Sequence, residues 1–141
     1  MAKNLNSLIR LHQWIVDEKR RKLGDLLKMV QELEARAKRL EEELIEEQNI
    51  ARNAPEQAGL TYGGYAKAVI DRRERLALSI AGVEKQIAVA REELNEAYRD
   101  LKKYEVAQDI RDRREAEEAA RKEQIVLDDI GLQSFRQRSR A

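Results

Sequence analysis

The chain has no cysteine, a single proline (Pro55), six glycines and six aromatic residues in 141 positions. Without thiols it can form no disulfide, no thiolate metal site and no cysteine nucleophile, a composition that fits a reducing compartment. So few aromatics and turn formers exclude a β fold and a bulky globular interior. Charge of one sign is missing too, because 28 Lys and Arg stand against 27 Asp and Glu, a formal net of +1. Bulk attraction to nucleic acid is therefore not expected, and neither is a solvating acidic tail. Long apolar runs are absent as well. Between Met1 and Trp14 none exceeds two residues, and nowhere does an 18-residue apolar stretch occur. Neither a secretory leader nor a membrane span is expected, and the expected compartment is the cytoplasm.

What is present is helix-forming. Ala, Glu, Lys, Leu and Arg number 18, 19, 10, 16 and 18, together 81 residues. That is more than the roughly one-half typical of long helices and coiled coils. Steps of four and three residues from Leu5 land on Ile9, His12, Val16, Lys19, Leu23, Leu26, Val30, Leu33, Ala37, Leu40, Leu44, Glu47 and Ala51, with 11 of the 14 positions apolar. A period of 3.5 residues keeps one narrow stripe facing a supercoiled partner helix. The pattern stops at residues 52–64, which hold the proline and three glycines and read as a connector. A second stripe runs from Tyr62 through Ala66, Val69, Arg73, Leu76, Ile80, Val83, Ile87, Ala90, Leu94, Ala97 and Leu101 to Tyr104.

Folding the chain back on itself matches the stripes in pairs whose numbers sum to 113: Leu44 with Val69, Leu33 with Ile80, Val30 with Val83, Leu26 with Ile87. Small meets large at Ala37 with Leu76 and at Leu23 with Ala90, which fills the gap at constant helix spacing. Flanking charge agrees, with a net of −4 over residues 29–51 and +2 over residues 65–85. In a parallel homodimer, Lys19, Arg73 and His12 would each meet their own copy. In the hairpin they face Leu94, Leu40 and Leu101, along which a long stem can pack. The expected fold is thus all-α, a monomeric antiparallel two-helix coiled-coil hairpin forming one elongated domain. Helix one covers about 4–51, the connector 52–64, helix two about 65–130 and a tail 131–141. Past Tyr104 the stripe fails, and 12 of residues 105–124 are charged, so helix two should overhang as a solvated single helix.

No catalytic site is expected. His12 is the only imidazole and sits on the seam without an activated nucleophile. The carboxylates Glu41, Glu42, Glu43, Glu46 and Glu47 read as a solvated face rather than a metal site, since no loop fixes their geometry. No phosphate-binding glycine loop occurs, so no cofactor is expected. Binding features stand out instead. Leu8, Leu11, Trp14 and Ile15 fall off the seam and form a candidate exposed apolar patch. The apolar coda at 125–135, with Val126, Leu127, Ile130 and Phe135, could cover that patch in cis or leave it to a partner. The terminal Arg136, Arg138 and Arg140 read as solubilising or phosphate-contacting, with no folded nucleic-acid reader beside them.

Several segments carry a family resemblance: Leu8-Ile-Arg-Leu11, Val16-Asp-Glu-Lys-Arg-Arg-Lys22, Leu44-Ile-Glu-Glu-Gln-Asn49, Tyr62-Gly-Gly-Tyr-Ala-Lys67, and Glu123-Gln124 leading into Leu127-Asp-Asp-Ile-Gly-Leu132. In this order and spacing the chain resembles the FliJ family of flagellar type III export proteins, most of all its alphaproteobacterial branch. The resemblance implies a non-enzymatic stalk, similar in shape to the γ stalk of rotary ATPases. Its partners would be the export ATPase ring, the cytoplasmic domain of the membrane export gate and export chaperones, at the inner face of the cytoplasmic membrane. The family's gate contact carries over to Leu44, Tyr65 and Val69, while Glu47 and Ala51 stand where its pattern has tyrosines. The ring contact is expected at Arg111, Arg113, Arg114, Arg121 and Lys122, interleaved with acids that no seam partner needs. An injectisome stalk is the nearest alternative. A prefoldin-like chaperone arm, from another class, would need β hairpins in the connector.

Overall fold

A computed structural model describes residues 4–53 and 62–140, and all of these but Asn4 and Leu5 are helical. Helix α1 spans Asn6–Asn53 (48 residues) and α2 spans Tyr62–Arg140 (79 residues). The strand-free helical hairpin with a longer second helix, expected from the two stripes, is the fold found among the described residues. Of the expected connector, residues 52, 53 and 62–64 are helical, and 54–61, with Pro55, lie outside the described residues. Contacts divide the chain into two compact units, Ile15–Ala97 on one hand and Met1–Trp14 with Tyr98–Ala141 on the other.

In the unit Ile15–Ala97, α1 and α2 pack antiparallel through a single apolar seam. Its centre is the cluster Leu26, Val30, Val83, Ile87 and Ala90, against which Leu23, Leu27, Leu33 and Ile80 pack. Four of the pairs drawn by the sum of 113 have both members there. Toward the connector the buried residues are Leu40 and Val69, and at the other end Val16 and Ala97. Two ion pairs bracket the seam. Lys19 Nζ lies 3.2 Å from Glu93 Oε2, and Arg73 Nη2 lies 2.9 Å from Glu41 Oε1. The stems were expected to lie along Leu94 and Leu40, and their heads instead reach the carboxylates next in sequence. A cation at the margin of a narrow seam gains more from a charge than from water alone, though each exposed pair contributes only about 0–1 kcal/mol. Glu47 is exposed, and Gln48 takes the half-buried place, because the stripe steps four residues from Leu44 rather than three.

In the unit Met1–Trp14 with Tyr98–Ala141, Leu5 just before α1 and Ile9 and His12 of α1 are half-buried, as are Leu101, Tyr104 and Gln108 of α2. The start of α1 leaves amide groups without intrahelical acceptors. Asn4 Oδ1 accepts from Asn6 N–H at 3.0 Å, and Gln108 Oε1 accepts from Leu5 N–H at 2.8 Å, so α2 helps to cap α1. The His12 ring stacks on Tyr104 with centroids 4.6 Å apart and planes at 26°. The expected neighbour was Leu101, one turn away, which offers no face for ring stacking. From Asp112 through Arg140 every residue is exposed. The expected tail at 131–141 is helical as far as Arg140. Gly131 costs only about 1 kcal/mol relative to alanine in a helix, and no proline follows to stop it.

The seam predicts a sharp contrast between two leucines. Leu26→Ala, at a site 8% exposed, should lower the unfolding free energy by about 2–4 kcal/mol. Leu78→Ala, at a site 73% exposed, should change it by less than about 0.5 kcal/mol. Urea unfolding followed by circular dichroism measures both.

Candidate interaction surfaces

Near the connector, in the unit Ile15–Ala97, Leu44 and Tyr65 are half-buried. Val69 is 1% exposed and belongs to the seam, so its side chain is not offered to a partner. Partial loss of water around the Tyr65 ring raises its hydroxyl pKa, and the carboxylates of Glu47 and Glu43 push it further, with Arg72 opposing them. The phenol therefore remains a hydrogen-bond donor well into alkaline solution. Glu47 is exposed and Ala51 half-buried where the family pattern has aromatics. Among the described side chains, this surface consequently presents one tyrosine amid carboxylates.

A second surface is the exposed length of α2. Arg113 pairs with Asp109 one turn back at 3.2 Å, Arg111 is half-buried, and Arg114, Arg121 and Lys122 are exposed. Gln108 donates to Asp112 at 2.9 Å and Gln124 to Asp128 at 3.0 Å. These i,i+4 links are the local support that a helix without a packing partner requires. The coda belongs to the same length, and Val126, Leu127, Ile130 and Phe135 are all more than half exposed. Leu8, Leu11 and Trp14 are also exposed, Trp14 at 60%, while Ile15 is half-buried. Of the two readings of the coda, cover in cis is thus not the one found: the apolar patch and the coda are each left open.

The sequence reading missed a third feature, a basic groove between α1 and α2 in the unit Ile15–Ala97. Arg36 and Arg39 enter it from one helix and Arg72 and Arg75 from the other. The signal was available, since both pairs have i,i+3 spacing and 36 with 75 and 39 with 72 both sum to 111, close to the seam register. Net charge summed over residues 29–51 and 65–85 concealed it.

Among the described residues no group of three or more His, Cys, Asp or Glu could hold a metal ion, and no helix is long and apolar enough to cross a membrane. A family model described as flagellar FliJ protein matches residues 1–140. The chain belongs to the FliJ family. Comparison with curated proteins and with solved structures finds no match. As a FliJ family member it is a flagellar export-associated protein, of a family whose members are non-enzymatic export components.

One local electrostatic feature of this FliJ family chain is the carboxylate of Glu93. The hydrogen bond and charge of Lys19, joined by Lys22 Nζ at 3.5 Å, hold it below the usual carboxylate range. A folded-state pKa below the unfolded one stabilises the fold above the unfolded value, and the contribution is lost as pH falls through the folded value. Glu93→Gln should therefore lower the melting temperature at pH 7. The difference from the parent should shrink as pH drops through the carboxylate range, and should disappear below the depressed pKa of Glu93. Melting curves of both proteins from pH 7 to pH 2 check this.

Proposed function

We propose that this chain is the stalk of the flagellar protein export apparatus. It binds the export ATPase ring and the cytoplasmic domain of the membrane export gate, and it catalyses nothing itself. The observation that carries the reading is the run from Asp112 to Arg140, helical and exposed throughout, with acids and bases interleaved. A helix exposed from Asp112 onward, bearing Arg113, Arg114, Arg121 and Lys122 among acids, with Arg111 half-buried just before it, suits insertion into a charged pore. The gate contact falls to Tyr65 and Leu44 above Val69, where the donor hydroxyl and the surrounding Glu43, Glu46 and Glu47 favour a partner with acceptor and basic groups. Glu47 and Ala51, in the places of the family's tyrosines, leave this contact fewer aromatic anchors, and aromatic anchors dominate protein interfaces. The exposed Leu8, Leu11, Trp14 patch and the coda are available to export chaperones. The protein then works at the inner face of the cytoplasmic membrane as a peripheral component. The match to a flagellar family favours this over the injectisome stalk.

Truncation after Gln108 tests the ring contact. The described residues lost include no buried side chain, so the melting temperature should hold within a few degrees. Stimulation of the export ATPase and swimming motility should both be lost. In the same assays Tyr65→Ala should leave ATPase stimulation intact and reduce capture of the gate's cytoplasmic domain several-fold. Full ATPase stimulation by the truncated protein would refute the assignment of this end to the ring.

A further inference from the structure

The basic groove of the unit Ile15–Ala97 is open, with a volume of about 510 Å³. Its floor is apolar, formed by Leu33, Leu40 and Leu76. Four guanidinium groups, those of Arg36, Arg39, Arg72 and Arg75, line it, against one carboxylate, Glu43. All four arginines are exposed, and no ion pair holds any of them among the described residues. Arg75 Nε makes only a long 3.4 Å contact with the carbonyl of Asp71 on its own helix. Elsewhere the margins of the seam pair opposite charges, as Arg73 does with Glu41 and Lys19 with Glu93. Here like charges face one another across it, an arrangement that costs stability when nothing lies between them.

We propose that this groove is a docking site for an acidic, amphipathic peptide segment of a partner protein, its carboxylates on the four arginines and its apolar side chains on the leucine floor. The chemistry selects this occupant. Guanidinium forks bind carboxylates in bidentate geometry, and arginine is enriched where interfaces desolvate charge. An apolar floor between rows of cations does nothing for a free anion, but it receives the hydrophobic face of a helix laid in a groove. A nucleic-acid strand would call for aromatic stacking platforms, and no aromatic side chain lines the groove. The proposal stands on this unit's own geometry and does not depend on the contacts assigned to Tyr65 or to the end of α2.

The test is selection of a random 16-residue peptide library displayed on phage against the full-length protein, followed by fluorescence anisotropy with the selected peptides. Peptides that combine Asp or Glu with Leu, Ile or Phe should be enriched. The double variant Arg36→Gln, Arg75→Gln should bind them at least tenfold more weakly. A control of equal charge change outside the groove, Lys28→Gln with Arg91→Gln, should bind as the parent does. The groove variant should melt no lower than the parent, because it removes repulsion; a lower melting temperature would mean that the arginines serve the fold. Selection without acidic enrichment, or equal loss in both variants, would overturn the proposal. So would single-stranded RNA binding with the same dependence on Arg36 and Arg75, or a dimer that the groove variant abolishes, each of which assigns the groove to a different occupant.

Discussion

Burial in this chain comes from a seam only two helices wide. Among the described residues the buried side chains are Val16, Leu26, Val30, Leu40, Val69, Val83, Ile87, Ala90 and Ala97, all aliphatic and all at seam positions, and none of them is polar. A seam has no second layer, so each buried residue depends on the helix opposite and on its neighbours along the stripe. The remaining surface of both helices is left to solvent or to partners. That constraint explains why large aliphatics such as Leu78, Val89 and Ile45 remain in water. What such a chain can do, it does by contact along its faces and at its helix ends.

The seam was legible because its signal is a period, and a period survives the loss of single positions. Leu26, Val30, Val83 and Ile87 could be placed opposite one another from numbering alone, and they form one cluster. What the period could not show was the behaviour of polar residues within the stripe. Lys19 and Arg73 were matched to apolar neighbours, yet long side chains swing across the seam to Glu93 and Glu41, a choice set by rotamers rather than by register. His12 similarly reaches past Leu101 to stack on Tyr104. Glu47 left the seam because a step of four replaced a step of three, which no count of apolar positions distinguishes.

Surfaces were harder to read than the core. Leu44 and Tyr65 are half-buried near the connector, but Val69 is buried in the seam, since a position that matches a motif can equally be a seam position. The exposed length of α2 followed from the failure of the stripe after Tyr104. Its continuation to Arg140 did not follow, because propensity alone sets where an unpacked helix ends. The arginine groove needed two helices brought together in register before its four charges became one feature. Each of these surfaces serves the reading of a binding component in flagellar export, and none resembles a catalytic site.

The central claim is that α1 packs on α2 of the same chain. Because the protein has no cysteine, spin labels at Lys28→Cys and Lys85→Cys report this pairing alone. The numbers 28 and 85 sum to 113, and both side chains are exposed. With helix axes about 8–10 Å apart, the two labels in one chain should lie within about 25 Å, and the singly labelled protein should show no short distance at any concentration. A separation beyond about 60 Å within the chain, together with a short distance between residues 28 of two copies, would contradict the account. Fifty-seven residues of continuous helix span about 85 Å, so the two outcomes cannot be confused.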